Sequence, residues 1–171
     1  MSISMYQSSV PVMLRMLENL RGLLYKAAEY AETKNFDVSV LINGRLAPDM
    51  YPFCRRVQVA TDMAKGGAAR LSGIEPPVYE DNEATISELL ARIDKTVAYL
   101  KTFQPEQIDG SENRPVVSKT RHGTMHFDGG QQYLLNYVLP NFYFQISTAY
   151  LILRHNGVNI GLDDYLGSLP A

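Results

Sequence analysis

Apolar side chains fall at three- and four-residue intervals through most of this chain and alternate with polar ones in only one short region. From Ser9 to about Thr33, Val10, Met13, Leu14, Leu17, Leu20, Leu24, Ala27 and Ala31 recur at mostly three- and four-residue spacing, which predicts a long amphipathic helix with Pro11 in its first turn. Asp37 is placed to cap a single turn through Val38–Ile42, and Asn43-Gly44 ends it. Phe53, Val57, Ala60, Ala64, Ala68 and Leu71 predict a second helix from about Pro52 to Leu71. Its small residues allow a close neighbour, and Gly66-Gly67 costs about 1 kcal/mol per glycine relative to alanine, which calls for a packing reason.

The segment Ile74–Ala84 contains Pro76-Pro77 and reads as irregular. Its residues can reach roughly 36 Å, more than the roughly 30 Å length of the second helix. It is therefore long enough to start the third helix parallel to the second, although a plain antiparallel connection also satisfies the pattern. Thr85 and Glu88 have capping-box spacing, and Ile86, Leu90, Ile93, Val97 and Leu100 give the third helix a narrow inward stripe. After a polar stretch, Val116–Lys119 and Thr124–Phe127 alternate as a small hairpin that must pack on the helices to be stable. Gln131–His155 predicts the fourth helix, with Asp128 as a possible cap, Pro140 as a kink or break and Asn156-Gly157 as its end. The remaining tail reads as an extended segment lying on the body. These elements predict one all-α domain spanning residues 1–171, a four-helix bundle with a β-hairpin before the fourth helix.

Composition narrows the function classes. The net charge is -2 and basic residues form no block longer than a pair, which argues against a nucleic-acid surface. The single Cys54 excludes an internal disulfide and suits a reducing compartment. The first residues lack the basic-then-apolar pattern of a secretory signal, so a cytoplasmic location is expected. Residues 131–153 carry no charge, yet Gln131, Gln132, Asn136, Asn141, Gln145 and Thr148 interrupt the apolar run, so a buried helix is expected and not a membrane span.

Within that uncharged helix, Tyr137, Asn141, Gln145 and Thr148 fall on one face. Buried polar groups need partners, so this stripe is either an internal network or the lining of a pocket. Asp49, pinned between Pro48 and Pro52, is expected to face it. The candidate ligand-binding residues are therefore Asp49, Tyr137, Asn141, Gln145 and Thr148. His122 and His126 have the i, i+4 spacing of a helical metal pair, but strand geometry would separate them, and His155 reads as a cation at a helix C-terminus. Cys54 lies at a helix start beside Arg55 and Arg56, but no histidine base is near in sequence, so a buried structural cysteine is expected. Arg55 and Arg56 read as a solvated face pairing with Asp49 or Asp62.

The blocks MSISMYQSSVPVMLRMLENL, NGRLAPDMYPFCRRVQVATDMAKGGAARLSG and LPNFYFQISTAYLILRHNGVNIG together resemble an uncharacterised bacterial family grouped with the DinB/YfiT-like proteins. The resemblance spans nearly the whole chain. It implies a four-helix bundle with a crossover between helices two and three, commonly dimeric. Many wider relatives hold a divalent metal with three histidines, and some are thiol-dependent transferases or isomerases. Those places fall near Asp49–Tyr51, Gln145 and Ala149 in this chain, and none is histidine. Asp with Gln is a poor donor set for zinc or nickel, so no metal ligands are assigned and the cofactor stays unknown. The expectation is a bundle whose polar interior binds a small molecule, without nucleic-acid or membrane partners. The alternatives are a metal- or thiol-dependent transferase or isomerase, and a structural or regulatory homodimer joined through helix four or helix one.

Overall fold

Each apolar stripe becomes the buried face of a helix in the computed structural model, which describes residues 3–120 and 123–168. The bundle is built from α1 (Val10–Lys34), α3 (Phe53–Leu71), α4 (Ile86–Leu100) and a composite fourth segment. That segment runs through α6 (Gly130–Tyr133), a π-helical turn (Leu134–Val138) and α7 (Leu139–His155). Single turns α2 (Ser39–Ile42), α5 (Pro105–Ile108) and α8 (Leu162–Leu166) join or cover the long helices. Strands β1 (Val116–Thr120) and β2 (Gly123–Phe127) pair antiparallel, with Val116 opposite Phe127. No helix among the described residues is long and apolar enough to cross a membrane.

Local chemistry sets the ends of these helices. Pro11 sits in the first turn of α1, and Asn35 ends it in the left-handed region at φ 55°, where its N–H reaches back to the last carbonyls. The Asp37 carboxylate accepts the Ser39 N–H at 2.8 Å, as expected for the turn that follows. At α4 the capping box forms as its sequence predicts: the Glu88 N–H donates to Thr85 Oγ1, and Glu88 Oε2 accepts the Thr85 N–H.

The crossover is the arrangement that residues 74–84 adopt. They run back along α3, with the Tyr79 ring over Lys65, Glu83 at Gln58 and Asp81 at Arg55. So α4 starts beside the N-terminal half of α3 and runs parallel to it. Arg92 of α4 holds this route. Its side chain is only 2% exposed, and its guanidinium donates to Thr61 Oγ1 at 2.7 Å and to the Glu80 carbonyl at 2.8 Å. It also ion-pairs with Asp62, Asp81 and Glu83 at 3.0–3.2 Å. The inward face of α4 is therefore Ile86, Leu89, Arg92, Ile93, Thr96, Val97 and Leu100, with Leu90 only partly buried.

The glycine pair of α3 has its packing reason. A Cβ on Gly67 would lie 2.7 Å from a methyl of Val138 in the π-helical turn, so only glycine lets the two backbones approach this closely. A Cβ on Gly66 would meet the end of the Arg70 side chain at 2.5 Å. Pro140 neither breaks nor sharply divides the last helix. The π-helical turn comes directly before it, with the Leu139 N–H reaching Leu134 O, and absorbs the missing donor and ring at one widened turn.

Three local expectations are corrected. Asp128 does not cap the last helix; Gln132 instead reaches back to accept the Asp128 N–H at 2.9 Å. The tail does lie on the body, but residues 162–166 form a helical turn. Lys26 bonds Asp164 at 2.6 Å, and Asn19 and Arg15 donate to the carbonyls of Tyr165 and Leu166. Arg55 and Arg56 do not share a solvated face: Arg55 pairs with Asp81 of the crossover, and Arg56 is buried.

Candidate functional site

The π-helical turn and α7 carry the uncharged face inward, and Tyr137, Asn141 and Gln145 arrive together on one wall of a cavity of about 460 Å³. Opposite stand Val59, Met63 and Gly66 of α3; Pro76–Tyr79 of the crossover and Ser118–Thr120 of β1 close the sides. Thr148 is buried on the same helix, but its hydroxyl donates to the Phe144 carbonyl at 2.7 Å and lies outside the cavity lining. That i−4 bond satisfies the hydroxyl locally, so it needs no tertiary partner. Asp49 is exposed and also outside the lining; the nearby residue that reaches the rim is Tyr51.

Two hydrogen-bonded groups hold the polar wall. Arg56 Nη1 donates to Gln145 Oε1 at 3.0 Å, and Gln145 Nε2 donates to Asn141 Oδ1 at 2.8 Å. Further along, Arg70 Nη1 donates to the Tyr133 hydroxyl at 3.2 Å, and the Tyr133 and Tyr137 rings stack at 5.9 Å between centroids. Phe127 of β2 packs against both rings, so the hairpin backs this wall. Burial pushes the Tyr133 and Tyr137 phenols up, while nearby Arg70 pulls in the opposite direction. Both hydroxyls therefore keep their protons near neutrality, and Tyr133 directs its own at the Gly66 carbonyl at 3.5 Å.

Arg56 is the residue the sequence reading misses most. It is 5% exposed, has no ion-pair partner among the described residues, and lies between the Tyr51 and Phe144 rings at 5.5 and 5.3 Å. Burial lowers its pKa. The missed signal is spacing: Arg56 falls three residues after Phe53 and four before Ala60, on the inward stripe of α3. Arg92 shows the same pattern between Leu89 and Ile93.

The metal chemistry that the resemblance implies does not fit these residues. Gln145 already gives its Oε1 to a guanidinium, so a divalent ion at this place would sit against a buried positive charge. Ala149 carries no ligand atom, and Asp49 is exposed and outside the cavity. Among the described residues, no group of three or more His, Cys, Asp or Glu could hold a metal ion. His126 is exposed on strand β2, His155 ends α7, and His122 lies outside the described residues. Cys54 is half-buried at the start of α3 and absent from the cavity lining; burial pushes its thiol up, against the nearby N–H groups and Arg55. It is held as a thiol rather than activated as a thiolate.

Residues 5–166 match a family model described as a domain of unknown function, DUF1993. The fold is similar to the crystal structure of a DinB family member protein from Shewanella denitrificans, at 37% identity and a TM-score of 0.87. That match covers 97% of this chain and 93% of the other.

Proposed function

Because the chain belongs to the DUF1993 family of domains of unknown function and shares its bundle with a DinB family member, we propose its function from the site itself: it binds a small molecule in the cavity between α3, α7, the crossover and the hairpin. The observation that carries this reading is that Tyr137, Asn141 and Gln145 line an open cavity of about 460 Å³ instead of being closed over by a neighbouring helix. That volume lies within the roughly 300–1,000 Å³ of ligand pockets, and its mixed apolar and polar walls are of the kind that bind and orient organic molecules. Arg56, Gln145 and Asn141 hold one another in place, so the polar wall is set before a ligand arrives.

The test is a thermal-shift screen of small metabolites against the wild type and Met63→Trp, a substitution that fills the cavity from a half-buried position. Compounds that stabilise the wild type should lose their effect in the variant. An unchanged response in a folded Met63→Trp protein would refute the site. A second reading, homodimerisation, is favoured by Phe144 and Leu151, which are 54% and 49% exposed and two helical turns apart on α7. Light scattering after size exclusion would refute it by returning a monomer mass at all concentrations.

A further inference from the structure

The cavity is positively charged in a protein whose net charge is -2. Arg55, Lys65, Arg70 and Lys119 line it, against only Asp62 and Asp81. Both carboxylates are already shared: Asp62 with Lys65 and Arg92, Asp81 with Arg55 and Arg92. Arg70 and Lys119 have no ion-pair partner among the described residues, and buried Arg56 adds a further uncompensated charge behind Gln145. A partly desolvated cleft with surplus charge of one sign concentrates ligands of the other.

Arg70 is the focus. It stands in the last turn of α3, where a cation commonly serves the terminal carbonyls. Here Arg114 does that work, donating to the Leu71 carbonyl at 2.6 Å. Arg70 instead folds back over Gly66, where any Cβ would collide with it, and donates one Nη1 bond to the Tyr133 hydroxyl at 3.2 Å. The rest of its planar donor fork has no protein acceptor among the described residues, next to the Tyr137 ring on the same wall. A guanidinium with free donors in a pocket suits bidentate recognition of carboxylate or phosphate oxygens.

We propose that the pocket takes a small organic anion, its carboxylate or phosphoryl oxygens on Arg70 and its apolar body against Val59, Met63 and Pro77. The assignment rests on the small-molecule reading of the same cavity and adds the charge of the ligand. Recognition of the anion falls to Arg70 with the Tyr137 hydroxyl, and Gly66 keeps the space that lets Arg70 lie there.

The test is a nuclear magnetic resonance titration of the full chain with phenyl phosphate, benzoate and neutral benzyl alcohol. It follows the Arg70 Nε–H signal and the backbone amides of Tyr137, Asn141 and Gln145. Both anions should shift these signals, and benzyl alcohol should bind at least tenfold more weakly. Arg70→Met should weaken both anions at least tenfold, and Gly66→Ala, which displaces Arg70 without removing it, should weaken them too. Equal binding of benzyl alcohol, or unchanged anion affinity in Arg70→Met, would overturn the anion assignment while leaving a pocket. If none of the three probes moves the cavity amides, the anion assignment and the pocket reading fall together.

Discussion

Arg92→Met removes the group that ties the crossover to α3 while keeping a long apolar stem in its place. The guanidinium makes ion pairs with Asp62, Asp81 and Glu83 and hydrogen bonds to Thr61 and the Glu80 carbonyl, from a side chain only 2% exposed. Removing one partner of a buried ionic cluster costs about 3–5 kcal/mol, because the others lose their counter-charge. Two features place this case at the low end. The carboxylates are 12–31% exposed and regain some water, and each keeps a second partner: Lys65 for Asp62, Arg55 for Asp81 and the Gln58 amide for Glu83. Thr61 is also spared, since its hydroxyl still donates to the Gln58 carbonyl. The expected loss is therefore about 3 kcal/mol, or roughly 6–12 °C in melting temperature for a domain of this size. Urea unfolding measures the first, and hydrogen exchange at Val78–Glu83 reads whether the crossover loosens ahead of the bundle. A loss below about 1 kcal/mol with unchanged exchange there would show that something other than Arg92 holds this segment, and would refute the reasoning.

Three further outcomes follow from the same contacts. Gly67→Ala should destabilise by about 1 kcal/mol net, since overpacking against stiff, buried Val138 outweighs the gain in helix propensity; Gly66→Ala meets only the movable end of Arg70 and should be near neutral in the same urea assay. The Asp164 carboxyl is held below its usual range, chiefly by its bond to Lys26, so its stabilising effect is present above the unfolded carboxylate value and lost as pH falls through the lower folded one. Protection of the α8 amides, taken relative to the intrinsic exchange rate at each pH, should fall on acidification below about pH 4, and Asp164→Asn should abolish that fall. Cys54, with its thiol pushed up by burial, should react with iodoacetamide more slowly than free glutathione at pH 8; a faster rate would mean the thiol is activated after all.

Much of the fold was legible in the chain because helices that bury one face must repeat that face in sequence. The stripes from Val10 to Ala31 and from Phe53 to Leu71 place α1 and α3 within a residue or two of where they lie, and the Thr85–Glu88 capping box starts α4 on the residue expected. Tyr137, Asn141 and Gln145 were legible as one face for the same reason, and they do share a wall. Thr148 belonged to that face too, but a hydroxyl can satisfy itself on the preceding turn, and sequence spacing does not reveal when it has done so.

Tertiary structure alone decided which charges went inside. Arg56, Arg92 and Lys65 stand on the inward stripes of α3 and α4, yet a charged residue in sequence reads as solvent-facing, because burial without a partner is so costly. Lys65 has Asp62 three residues away on its own helix, but the other two find partners far along the chain: Gln145 is 89 residues from Arg56, and Asp62 is 30 from Arg92. The first pairing exists only once α7 packs on α3, and the second only once the crossover has brought α4 alongside α3. Asp49 shows the converse, since two flanking prolines fix the local backbone but not where that loop sits against the bundle, and it stays in solvent. Periodicity along the chain determined the helices and the polar face, because each depends on neighbours within a turn or two. The surplus positive charge of the cavity depends on contacts between distant segments, and only their packing assembled it.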